Sequence, residues 1–123
     1  MKYKFIDKIT IEDGLATGYY RVPADLSIFK DHFPSFPILP GVLMIEATVQ
    51  VARILFKNPT LVLKEAKAVR YGSIIQPGAT IKIEVESQNT ENWTYRGQLW
   101  NINTNESKDY SAMTGRFSMR PVR

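Results

Sequence analysis

The chain contains no cysteine and only one histidine. Without thiolates a disulfide framework and sulfur-ligated metal centres are excluded, and a lone imidazole makes a poor metal-ligand set. The N-terminal stretch "MKYKFIDKITIEDG" lacks the apolar core of a secretion signal, and the longest apolar run is broken at Glu46, Gln50 and Arg53. A cytoplasmic location, with neither a membrane span nor a membrane partner, is therefore the expectation. Runs of positive charge are missing too. Sixteen Lys and Arg against twelve Asp and Glu leave a formal charge of +4, but the bases are scattered. Long-range attraction to an acidic protein accounts for that excess as well as nucleic acid does, and no nucleic-acid partner is expected. Neither a G-x-G-x-x-G stretch nor a Walker loop occurs, so nicotinamide and ATP have no support.

Repeats, low-complexity segments and linkers are also absent. At 123 residues, 44% apolar and 23% charged, the chain reads as one globular domain spanning 1–123.

What the chain does have is "FKDHFPSFPILPGVLMIEATVQ", residues 29–50. The single histidine, His32, stands in a loop braced by Pro34, Pro37 and Pro40, which remove backbone donors and push their predecessors into extended geometry. Pro40 suits the first position of a helix, where its missing N–H costs nothing. From Gly41 to about Lys57 the strongly polar residues are Glu46, Gln50, Arg53 and Lys57, at offsets that form one narrow stripe. So thin a polar face predicts a helix wrapped by other structure.

Strands are expected on both sides of that helix. Residues 3–11 and 15–22 flank the turn "EDG", and 23–40 form the loop. After the helix come strands at 61–71, at 81–88 ("IKIEVESQ", strictly alternating), and a hairpin of 92–102 and 109–119 around the turn 103–107. The aromatics Tyr19, Tyr20, Trp93, Tyr95 and Trp100 read as sheet packing. The sum is an α+β fold, an antiparallel sheet wrapped around one long central helix, with an open face or edge that favours dimerisation.

The segment "HFPSFPILPGVLMIEATVQ" closely resembles the pattern H-F-P-x-x-P-[VIL]-x-P-G-V-L-x-[IL]-E-A-x-x-Q of the 3-hydroxyacyl-[acyl-carrier-protein] dehydratases, which have the hot-dog fold. Fainter similarity runs through "FIDKI" (5–9) and "QPGATIKIEVE" (76–86). The resemblance implies a hydro-lyase that eliminates water from (3R)-3-hydroxyacyl groups to give trans-2-enoyl thioesters. It implies no cofactor beyond the phosphopantetheine arm of an acyl carrier protein. It also implies a homodimer or a higher oligomer of dimers, or a heterodimer with a related hot-dog subunit, in which His32 of one copy works with Glu46 of the other. The branch of the family that also isomerises usually has Asp where this chain has Glu46.

The residue types suit that chemistry. Neutral imidazole can take the C2 proton, which assigns His32 as base. Glu46 can protonate the departing hydroxyl directly or through a water, and apolar neighbours such as Met44, Ile45 and Val49 would favour its protonated form. The free N–H of Gly41 at the helix start can bear the charge growing on the thioester oxygen. Gln50, one turn beyond Glu46, is placed to hold the carboxylate. Phe33, Pro40 and Val42 are candidates to line the substrate tunnel, and Lys64, Lys67 and Arg70 to meet the carrier protein. Asp31, where the family commonly has Gly, is close enough in sequence to tune His32. Taken singly, these residues have ordinary explanations as loop, stripe and helix start; their joint spacing carries the reading. The rivals are a hot-dog acyl thioesterase and a non-catalytic subunit that binds acyl carrier protein.

Overall fold

A computed structural model describes residues 3–33, 35–102 and 109–122. Among them are strands β1 (Lys8–Glu12), β2 (Leu15–Arg21), β3 (Leu61–Tyr71), β4 (Thr80–Asn89), β5 (Thr94–Ile102) and β6 (Tyr110–Pro121), with helices α1 (Ile28–Asp31) and α2 (Gly41–Leu55). The strands form one antiparallel six-stranded sheet in the order β1-β2-β4-β5-β6-β3. Helix α2 packs on its inner face, mainly against β4, β2 and β5.

Alternation sets which side chains face that helix. In β4, Ile81, Ile83 and Val85 are fully buried while Lys82, Glu84 and Glu86 point the other way. Asp13 and Gly14 both take positive φ, 49° and 78°, which closes the β1–β2 hairpin with a two-residue turn. Leu43, Met44, Ala47, Val49, Val51 and Ala52 give α2 its buried face, and Phe5, Tyr20, Tyr95 and Phe117 supply the large rings of the core. The one buried polar residue on the helix, Thr48, is satisfied: its hydroxyl donates to the Ile45 carbonyl (2.7 Å) and lies 3.0 Å from the Tyr95 hydroxyl. Burial pushes the Tyr95 phenol well above the ordinary 10.0, outweighing the bond to Thr48, which lowers it, while the nearby charge of Glu46 adds to the rise.

Several expectations need correction. The first strand begins at Lys8, not at residue 3, because the backbone of residues 3–5 bonds to helix α2: Phe5 N–H donates to Gln50 Oε1 and Gln50 Nε2 donates to the Tyr3 carbonyl. The loop 23–40 contains the one-turn helix α1, too short to leave a periodic signal. Pro40 is the N-cap residue of α2, with extended ψ of 148°, and the helix proper starts at Gly41. At its other end α2 stops at Leu55, and Lys57 turns left-handed at φ 55°. Nor is the helix fully wrapped, since Val42 and Ile54 stay exposed at 69% and 41%. The expected turn at 103–107 lies outside the described residues.

Strand β3, like β1, is an edge of the sheet. It pairs only with β6 among the described strands, its register shifts twice, and most of its residues are exposed.

Candidate active site

His32 is set by its backbone. It closes α1, donating its N–H to the Ile28 carbonyl (3.0 Å) and accepting at its own carbonyl from Ile38 N–H (3.0 Å). Leu39 N–H then donates to the Ile75 carbonyl, which ties the proline-braced loop to the chain after β3. The His32–Phe33 peptide is cis, and the two rings stack at 4.4 Å. The imidazole is half-buried, and its Nδ1 is buried without a hydrogen-bond partner among the described residues. Phe33 is exposed, as is Asp31, which makes no ion pair with His32.

Gly41 opens α2 just after Pro40, whose carbonyl accepts from Leu43 and Met44. No side chain caps this end, and neither Gly41 nor Val42 N–H finds an acceptor among the described residues. Such a terminus carries the positive end of the helix dipole. Pro40 is half-buried and Val42 is exposed beside it. Glycine at 41 leaves room for a ring that the sequence does not place there. A Cβ there would lie 2.6 Å from Cζ and 2.7 Å from the hydroxyl oxygen of Tyr71, the last residue of β3.

Glu46 lies one turn further along α2. Its side chain is 15% exposed, and Oε2 accepts from Gln50 Nε2 (3.0 Å) with Arg53 Nη1 at 3.8 Å. Arg53 Nε in turn donates to the Leu61 carbonyl (2.7 Å). The surroundings expected to be apolar thus include an amide and a guanidinium, both on the same carboxylate oxygen. Glu46 Oε1 has no partner among the described residues.

The structure brings Glu46, Gln50 and Arg53 together, and Gly41 together with Tyr71. It draws no hydrogen bond or ion pair between His32 and Glu46 of the same chain. Lys64, Lys67 and Arg70 are exposed along β3, but six residues of strand separate the first from the last, roughly 20 Å, so they do not form one cluster. Lys67 pairs with Glu65 at 3.5 Å. Reading the sequence missed Tyr71 but not Arg53, which it leaves as a structural, salt-bridging residue. Arg53 was visible in the polar stripe, three residues after Gln50, although its ion pair points back to Glu46. Tyr71 had no local signal at all.

Comparison with known proteins follows the same line. A family model described as ApeI-like, ApeI dehydratase, matches residues 8–114. The 3-hydroxyacyl-[acyl-carrier-protein] dehydratase FabZ of Clostridium acetobutylicum is 35% identical over 89 residues, covering 66% of this chain and 63% of the relative. That of Bacillus velezensis is 30% identical over 112 residues, covering 79% and 76%. Among solved structures, the dehydratase heterocomplex ApeI:P from Xenorhabdus doucetiae superposes with a TM-score of 0.76 at 20% identity, covering 95% of this chain and 98% of that one. An acyl-CoA hydrolase mutant from Staphylococcus aureus superposes at 0.65 with 10% identity, covering 89% and 67%. At such identities the structures speak for the fold alone, and that fold is the hot dog, a class of six-stranded sheets closed on one helix that serves lyases and hydrolases alike. Within it, the chain belongs to the ApeI-like dehydratase family, whose reaction is that of a hydro-lyase.

Proposed function

We propose that this protein removes water from (3R)-3-hydroxyacyl groups carried on acyl carrier protein, giving trans-2-enoyl thioesters for fatty-acid or related polyene or polyketide synthesis. The observation that carries the proposal is the division of the site. An oriented carboxylate with one free oxygen follows one helical turn after an uncapped N–H, while the imidazole is held on a separate loop with no protein partner for Nδ1.

In this reading the thioester oxygen accepts from Gly41 N–H, which acidifies C2. His32 takes the C2 proton and the electron pair forms the C2–C3 double bond. The C3–O bond breaks, and the hydroxyl leaves as water with a proton delivered at Glu46 Oε1, from the carboxyl itself or from a water it holds. Gln50 and Arg53 keep Oε2 occupied, so the carboxyl presents one defined edge. No hydrogen bond or ion pair joins His32 to Glu46 within a chain, and in this reading the two meet across a dimer, for which the edge strand β3 offers a surface. A second copy is the simplest partner; a related hot-dog subunit is the alternative. Phe33, Pro40 and Val42 border the acyl chain. The phosphopantetheine arm is the only prosthetic group used, Arg70 is the basic residue best placed to meet the carrier protein, and the enzyme works in the cytoplasm.

The experiment is turnover of a 3-hydroxyacyl thioester on carrier protein, with His32→Ala and Glu46→Gln alongside. Enoyl absorbance that falls by about 100- to 10,000-fold in both variants supports the reading. Release of free thiol would reveal a hydrolase, and variants as active as the parent would leave only a binding subunit.

A further inference from the structure

We infer that Tyr71 supplies a second hydrogen bond to the thioester oxygen, beside the N–H of Gly41; the inference deepens the dehydratase reading above and rests on it. The phenol ring occupies the space a side chain at position 41 would fill, with Cζ, the hydroxyl oxygen and Cε1 all within 2.8 Å of the missing Cβ. Since Cα–C bonds are about 1.5 Å long, the hydroxyl oxygen is no more than about 4.2 Å from Gly41 Cα. An acceptor bonded to Gly41 N–H therefore sits in the neighbourhood of that hydroxyl.

Both donors are unspent. Neither Gly41 N–H nor the Tyr71 hydroxyl has a partner among the described residues. A developing oxyanion has lone pairs for both, and the positive end of α2 favours charge at this point. Presentation is firm on the strand side: Tyr71 pairs with Met113, and beyond it Gly72 N–H donates to the Ala112 carbonyl (2.9 Å) and Ser73 N–H to the Ser111 carbonyl (2.8 Å). Nothing else in the surroundings calls for a hydroxyl, because the ring is 54% exposed and a phenylalanine would fill the same volume. The hydroxyl is the part that needs a function.

Tyr71→Phe tests this, since it keeps the ring and deletes the donor. Two readouts apply: kcat and KM for the 3-hydroxyacyl thioester, and the carbonyl stretch of a bound, unreactive saturated acyl-pantetheine thioester, which hydrogen bonding lowers. We expect kcat to fall roughly 10- to 100-fold with KM little changed, below the cost of losing a fully enclosed donor because this one is partly exposed. The carbonyl stretch should move back towards its value in water-free solvent. Unchanged kcat with an unchanged stretch overturns the inference while the parent's turnover keeps the dehydratase reading. A stretch that shifts in the variant, with no dehydration by the parent, sinks that reading and upholds the hydrogen bond. A thioester that does not bind the parent overturns both.

Discussion

The two halves of the site are finished to different degrees. On the Glu46 side every link is made inside one chain: Gln50 ties the carboxylate to the backbone of Tyr3 and Phe5, and Arg53 ties it to the start of β3. On the His32 side the backbone is bonded and the ring stacks on Phe33, yet the buried Nδ1 has no partner among the described residues. A buried polar atom without a partner is costly. One half of the candidate site is thus held by side-chain bonds, the other through its backbone.

The largest effect that can sharpen this contrast is a loss of chemistry without a loss of fold. His32→Ala should lower turnover by about 100- to 10,000-fold while leaving the urea midpoint close to the parent's, because no hydrogen bond of Nδ1 is lost with the ring. A large drop in midpoint would show that the ring is structural after all.

Mixing comes next. If the halves meet across subunits, inactive His32→Ala and Glu46→Gln chains should recover activity on subunit exchange, to about a quarter of the parent's, since random pairing leaves one intact site in half of the dimers. No recovery, with exchange shown by a tagged chain, would place both groups in one subunit and break the comparison.

On the completed side the expected effect is on stability. Gln50→Ala removes the partner of Phe5 N–H and of the Tyr3 carbonyl, both part-buried, and should cost about 1–3 kcal/mol in urea denaturation. A midpoint equal to the parent's would mean that the Glu46 half is no better tied than the His32 half.

The smallest effect is a pH dependence. Burial raises the Tyr95 phenol above 10.0, so the folded chain holds that proton after the unfolded chain has released it. The associated stability is complete below pH 10 and falls as pH rises beyond it. Tyr95→Phe, which also loses the bond to Thr48, should be less stable than the parent by about 1 kcal/mol at neutral pH, with the gap closing under alkaline conditions. A constant gap up to pH 11, roughly one unit past the ordinary tyrosine value, would contradict the assignment.

Much of the fold was legible because it is written in short periods. Strict alternation marks β4, the Asp-Gly pair marks the first hairpin, and the offsets of Glu46, Gln50 and Arg53 mark one face of a helix. The candidate residues were legible for a different reason: His32, Gly41, Glu46 and Gln50 fall in one stretch whose spacing matches a family pattern. The misses share a cause. Residues 3–5 look like strand, but their backbone bonds to a side chain 45 and 47 positions away. Tyr71 looks like the end of an exposed strand, yet it lands on Gly41.

Local order along the chain, then, was enough to determine the strands, the helix, the turn between β1 and β2 and the identity of the chemical groups, because each depends on neighbours within a turn or a pleat. Only the tertiary structure decided that Arg53 faces Glu46, that Tyr71 covers the helix start, and that no hydrogen bond or ion pair joins His32 to the carboxylate within the chain. Those outcomes depend on how a sheet closes over a helix, and contacts between distant segments leave no period in the sequence.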